Sequence, residues 1–377
     1  MMRRFLALGV LFGLLGLAGC AAGEKATPAP ASPGAATPSV QEEWERVVAA
    51  AKQEGKVAVL ATARDAPTRR SLTESFEKKY GITVEFFAGG GSELAPRIRT
   101  ERQAGQYLWD VYVGGISTMV NTLKPMGALD PLVPAMILPE VKEPGNWRGG
   151  DLPFADRDRM AFMFSMSTTD ALKINTNLVK AEEFKSYRDL LDPKWKGKIV
   201  AQDPREAANQ AELQFYYAQK ELGADFIRAL AKQDLILVRD DRTSLDWLAQ
   251  GRYPILIGGS TSRALEMSKE GLPVQIVDPK QMKEGGYITA GPGGLGLVNK
   301  APHPNAAKVY INWLLSKEAQ TEFSKASVRV SRRTDVPTDH VDTFRLPKEG
   351  FINLDTEERL AERDKVIVPL IKDIFGE

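Results

Sequence analysis

Short apolar runs alternate with segments of helical period along most of the chain, and that alternation restricts the fold to α/β units with largely parallel sheets. Trp44, Val47, Val48 and Ala51 recur at helical spacing up to Gly55, and Lys56 to Ala61 then reads as a buried strand. A helix over Thr68 to Tyr80, closed by Gly81, precedes a strand over Ile82 to Phe87. A helix from Glu93 to Ala104 leads to a strand from Trp109 to Val113. Pro131 to Pro153 is rich in breakers and interrupts the series. A second series has strands over Lys198 to Ala201, Leu235 to Val238 and Tyr253 to Gly258, with helices over Glu206 to Leu222 and Ala224 to Lys232. Tyr287 to Asn299 is read as the return to the first series, which helices over Asn305 to Leu315 and Glu318 to Ala326 complete.

From Gln41 onward the chain is longer than one hydrophobic core usually serves, so two lobes are expected. The division reads as 1–19 signal peptide, 20–40 lipidated cysteine and linker, 41–155 first part of lobe 1, 156–290 lobe 2, 291–345 second part of lobe 1, and 346–377 helical tail. Arg3 and Arg4, the uncharged run Phe5 to Leu17 and the small-residue end Leu17-Ala18-Gly19-Cys20 have the order of an export signal. The run is shorter than the roughly 18 residues that a spanning helix needs. Its end resembles the lipobox of bacterial lipoproteins, which makes Cys20 the expected lipidation site. Ala21 to Val40 carries almost no large apolar group and reads as a tether.

Cys20 is the only cysteine, so the chain has no internal disulfide and no thiolate zinc cluster; two histidines exclude a histidine-rich metal site. A formal net charge of +1 gives no footprint for nucleic acid. Catalysis is not expected, because His303 lies in an Ala-Pro-His-Pro turn and His340 in a polar loop, neither beside a nucleophile.

Four segments carry a family likeness: Thr100-Glu101-Arg102-Gln103-Ala104-Gly105 with Trp109-Asp110-Val111; Leu190 to Ile199, LLDPKWKGKI; Trp313 to Gln320, WLLSKEAQ; and Arg333-Thr334-Asp335-Val336-Pro337. Through them the chain resembles the type II solute-binding proteins of ABC importers, in the branch that includes the ferric-ion binders. The resemblance implies two α/β lobes joined by crossover strands, a small solute held between them, and docking of the closed form onto a membrane permease. A monomer without cofactor is expected, anchored to the membrane through Cys20 and facing the periplasm or cell exterior.

Ligands of open α/β sheets sit beyond the carboxyl ends of strands. Gly89-Gly90-Gly91-Ser92 follows a strand and opens a helix, so Gly90, Gly91 and Ser92 are candidates for an anion, with Ser92 as helix cap the alternative. Arg64 is read either as a bidentate partner for a carboxylate or phosphonate or as a surface arginine. Asp203 is read first as a cap of the following helix. Ser260 and Thr261 end a strand and open a helix in the second lobe. Gly291-Pro292 and Arg333 are weaker candidates, equally explained by a crossover and a surface salt bridge. No metal ligand is assigned: where the resemblance implies a tandem tyrosine pair for Fe(III), this chain has Ser260-Thr261. Tyr216-Tyr217 lies in a helical stretch where adjacent side chains diverge by about 100°. An anionic organic solute is therefore favoured, with ferric iron or another metal, alone or held with a bridging anion, as the alternative.

Overall fold

In the computed structural model the described residues are 38–376, apart from Arg64, Asp170, Ala171, Ala207 and Ala208. The proposed signal, Cys20 and most of the tether therefore lie outside the described residues. Helix α1 (Val40–Glu54) starts within the expected tether, because Ser39 and Glu42 form a reciprocal capping box: Ser39 Oγ accepts from Glu42 N and Ser39 N donates to Glu42 Oε2 at 2.7 Å.

Strand β1 (Lys56–Ala61) follows the left-handed Gly55. The single helix expected over 68–80 is two, α2 (Ala66–Ser71) and α3 (Glu74–Tyr80), broken where Leu72 turns into the core and Thr73 leaves helical geometry. Then come β2 (Thr83–Ala88), α4 (Gly91–Gln103), β3 (Val111–Gly114) and the short α5 (Ile116–Thr118), which runs into a π turn over Met119–Leu123. β4 (Leu129–Asp130), α6 (Pro139–Lys142) and β5 (Phe162–Met163) complete this stretch.

Strand β6 (Ser165–Thr169) leads to β7 (Leu172–Asn175), β8 (Ile199–Gln202), α7 (Ala211–Ala218), α8 (Gly223–Ala231), β9 (Ile236–Val238), α9 (Asp241–Ala249), β10 (Ile255–Ile257), α10 (Thr261–Lys269) and β11 (Val274–Ile276). Helix α7 begins later than the expected Glu206 because Asp203 and its neighbours close a turn first: Glu206 N and Asn209 Nδ2 both donate to Asp203 O. The chain then follows β12 (Tyr287–Thr289), β13 (Gly294–Val298), α11 (Pro304–Leu314), α12 (Lys317–Ser327), β14 (Val330–Ser331), β15 (Ile352–Asn353), α13 (Glu357–Glu362) and α14 (Val368–Phe375).

Three sheets result. The first has the order β2-β1-β3-β13-β4, with β5 also on β13; β1 is parallel to β2 and β3, and β13 runs antiparallel. The second has the order β11-β7-β10-β8-β9. The third, β14-β6-β12-β15, contains both strands that carry the chain between the other two, β6 outward and β12 back, paired antiparallel. This is a two-lobed architecture with a crossover sheet between the lobes.

Both faces of each lobe sheet are buried, as α/β layering requires. On β1, Val57, Val59 and Ala61 face one cluster with Phe76, Tyr310 and Trp313, while Leu60 faces another with Leu94, Ile98 and Met119. On β10, Ile255 and Ile257 face Phe215 and Phe226, and Leu256 faces Leu245 and Leu248. Each such side chain contributes about 1.5–3 kcal/mol by leaving water, and period-2 alternation fixes the register.

The tail departs from a single helix. Ile352 and Asn353 first pair with β12, and α13 and α14 are then joined by a π turn over Arg363–Ile367. Pro369 supplies the reason: it has no N–H for the helical bond to the preceding turn, and the wider turn absorbs the break. Leu360 packs in the lobe-1 cluster, whereas Ile367, Leu370 and Ile371 pack in the lobe-2 core.

Candidate functional site

The parallel strands β1, β2 and β3 end side by side, with Ala61 in register with both Ala88 and Val113. Three helices start just beyond them, capped by Asp65, Gly90 and Gly115. Gly90 is the cap of α4, and its N–H donates to Glu93 Oε2 at 3.3 Å, so the chain's own carboxylate takes part of the predicted anion nest. Ser92 is not the cap; it lies exposed in the first turn. A side chain at Gly91 would bring its Cβ to 2.3 Å from Thr118 Oγ1, so this loop is packed against the start of α5. Arg64 lies outside the described residues.

The second lobe presents a cavity of about 440 Å³ lined by Gln202, Asn209, Glu212, Arg239, Asp241, Ser260 and Thr289, among others. Gly258 (φ 78°) and Gly259 (φ 83°) supply the left-handed turn that ends β10. The buried Lys173 fixes it from below, its Nζ donating to Gly258 O at 2.8 Å and Gly259 O at 3.0 Å. Ser260 then caps α10: its Oγ accepts from Arg263 N, and its own N–H donates to Asp241 Oδ1 at 2.7 Å. Thr261 is the first residue of α10 and half-buried.

Asp203, buried at the end of β8, holds a fork from Arg205, Nε to Oδ1 at 2.9 Å and Nη2 to Oδ2 at 2.8 Å, and a third contact from Arg239 Nε at 3.3 Å. The Arg205 guanidinium, against the opposing cost of burial, holds its carboxyl down at about 2. That carboxylate is committed to arginines of its own lobe, and Arg239 carries the pair to the cavity wall.

A cluster of arginines gathers around the crossover sheet. Arg329 and Arg332 flank β14, which pairs with β6, and the Arg329 guanidinium lies against Gly291, just past β12. Asp355 faces both and accepts from Ala290 N at 2.6 Å. Arg363 donates to Ser117 Oγ at 3.0 Å, and Arg345 reaches Ser262 Oγ on α10 at 3.4 Å. Burial pushes the Arg329 and Arg332 guanidiniums down to about 10, Arg345 adding to the effect on Arg329. Arg333 is not the surface residue expected from sequence. It is 1% exposed, forms a fork with Asp335 at 2.9 Å for each bond, and donates to Leu315 O and Glu140 O.

The model of the family described as bacterial extracellular solute-binding protein matches residues 71–344, most of the chain. The chain belongs to that family. A Salmonella paratyphi A relative, named as a 2-aminoethylphosphonate-binding periplasmic protein, is 26% identical over 274 residues, covering 71% of this chain and 74% of that protein. Among solved structures, the Trichodesmium protein IdiA (FutA), in complex with iron and citrate, is similar with a TM-score of 0.65 and 21% identity over 86% of this chain and 100% of its own. The periplasmic binding protein AfuA of Actinobacillus pleuropneumoniae, with fructose-6-phosphate bound, gives a TM-score of 0.58 and 20% identity over 85% and 98%. These likenesses establish the two-lobed type II fold, and the chain is a solute-binding protein of the ABC-importer class.

For this solute-binding protein the tyrosine pair of α7 is divided by burial. Tyr216 is 0% exposed among Tyr187, Phe215 and Phe226, and that burial raises its phenol well above the ordinary range, so it is no phenolate donor to a cleft. Among the described residues no three His, Cys, Asp or Glu side chains gather as a metal ion would require. Sequence reasoning missed Gln202, Asn209, Arg239, Asp241 and Thr289. Arg239 and Asp241 had a usable signal, since they follow β9 as Ser260 follows β10; Asn209 sits in a turn that read as helix.

Proposed function

We propose that this solute-binding protein captures a small anionic organic solute between its lobes and hands it to an importer permease, acting as a monomer exported and tethered by lipid on Cys20. The observation that carries the reading is the cavity of about 440 Å³ at the carboxyl ends of β8, β9 and β10, walled by amide, hydroxyl and guanidinium groups, with its two carboxylates, Asp241 and Glu212, already accepting from Ser260 N and the Tyr287 hydroxyl. Its size and mixture of polar groups suit a small organic molecule held by directional bonds. The relatives that carry phosphonate and sugar phosphate in their descriptions agree with an anion. Gly90, Gly91, Ser92, Ser260 and Thr261 remain the proposed contacts on the two walls, and Arg64, outside the described residues, remains a proposed contact on the sequence alone; Asp203 acts by positioning Arg239.

Contacts made by both lobes exist only when the cleft closes, so binding shifts the population toward the closed form. Small-angle scattering across a solute panel tests this: a cognate solute reduces the radius of gyration and raises the melting temperature. If no solute does either, the receptor reading is wrong. An Fe(III) titration that produced a tyrosinate charge-transfer band would instead establish the iron alternative.

A further inference from the structure

We propose that Arg329 and Arg332 together seat the doubly charged oxyanion head of the solute, a phosphonate or phosphate monoester, at the crossover-sheet end of the cleft. This inference rests on the receptor reading and names the chemistry of its ligand.

Three arginines within five positions, Arg329, Arg332 and Arg333, provide an internal comparison. Arg333 satisfies its guanidinium with Asp335 and two main-chain carbonyls. Arg329 and Arg332 are different: among the described residues Arg329 Nη1 and Arg332 Nε are buried with no hydrogen-bond partner. Leaving a donor of a charged group buried and unpaired is unfavourable, and the sequence accepts that cost twice within four positions. Asp355 is the carboxylate that faces both, and one of its oxygens already accepts from Ala290 N. Two cations against one carboxylate leave positive charge in excess.

The location is the crossover sheet beside the cavity, whose own lining includes neither arginine. Arg329 rests on Gly291, two residues past Thr289 of the cavity wall, and Arg345 next to it bonds Ser262, two residues past Ser260 of the same wall. Both Arg329 and Arg332 are half-buried as residues, and an incoming head group would reach their unpaired nitrogens as the lobes close over it. A carboxylate has two oxygens, which a single guanidinium fork consumes. A phosphonyl or phosphoryl head has three and can accept from donors on two separate arginines while its second charge balances the excess.

The test uses the full mature chain and its Arg329→Gln, Arg332→Gln and doubly substituted forms. Calorimetric titrations use inorganic phosphate, methylphosphonate, glycerol 3-phosphate, acetate and ferric citrate, alongside the melting temperature of each unliganded protein. The wild type is expected to bind at least one of the phosphorus oxyanions more tightly than acetate. Each single substitution should weaken that binding about 10- to 100-fold, the range of one to two charge-assisted hydrogen bonds. The unliganded melting temperature of each single variant should hold or rise, because an unpaired buried donor is removed while the other arginine still faces Asp355. A fall in that temperature would assign the arginines a structural role and overturn the proposal. So would full affinity in the double variant, acetate binding as tight as methylphosphonate, or a wild type indifferent to all three phosphorus oxyanions. In the last case, closure on ferric citrate or another solute would leave the receptor reading standing, whereas absence of closure with every solute would remove both.

Discussion

The guanidinium of Arg329 lies so close to Gly291 that a Cβ built on the glycine would stand 2.5 Å from Arg329 Cζ. Gly291 also has φ 57°, in the left-handed region. Gly291→Ala therefore has two effects of different size. The backbone penalty is about 1–2 kcal/mol, while the clash is relieved by swinging a flexible side chain away. Urea unfolding should show only that modest loss, and binding of a phosphorus oxyanion should weaken much more than the loss of stability alone explains.

Asp203 makes stability depend on acid. Its folded pKa is about 2 against an ordinary 3.8, so the unfolded chain binds the proton more tightly. The stabilisation is complete above the unfolded value and disappears as pH falls through the folded one. A shift of this size corresponds to about 2 kcal/mol. Asp203→Asn should be less stable than wild type at pH 7 by at least that amount, and chemical denaturation near pH 2 should bring the two proteins together.

Lys173 tests the floor of the cavity. Lys173→Met removes the donor to Gly258 O and Gly259 O, leaving carbonyls at the base of the Ser260 turn unsatisfied, at about 1–3 kcal/mol. The expected result is a lower denaturation midpoint together with weaker solute binding, since the turn that places Ser260 loses its support. Unchanged binding in a folded variant would separate Ser260 from the ligand.

The tail beyond the family match is structural. Ile371 is 2% exposed in the lobe-2 core, so Ile371→Ala should cost about 2–4 kcal/mol, measured by urea denaturation. A loss below 1 kcal/mol would mean that α14 does not share in the lobe-2 fold.

The sheets were legible because buried strands such as Lys56–Ala61 and Ile255–Ile257 are short apolar runs with a glycine at one end, Gly55 before the first and Gly258 after the second, a local signal. Ser260 was legible for the same reason, as a hydroxyl after a strand and before a helix. The break at Thr73 and the late start of α7 were not, because both depend on where Leu72 and Asp203 find partners. The arginine cluster was the least legible. Gly291, Arg329, Arg332 and Asp355 are distant in sequence and meet only because β6 and β12 cross side by side, and nothing in the local pattern separates Arg332 from the fully partnered Arg333.

The tail connects the lobes at two points. Asn121 Nδ2 donates to Asp364 Oδ2 at 2.8 Å and Arg363 to Ser117 on the lobe-1 side, while Arg228 pairs with Asp373 on the lobe-2 side. If the lobes rotate on binding, a brace fastened at both ends should limit that rotation to what the turn at Arg363–Ile367 can absorb, and the expected consequence is a narrower range of open forms before any solute arrives. A receptor cut before α13 would wander over a wider range of angles, and part of its binding free energy would go into restoring an orientation that the intact chain already holds.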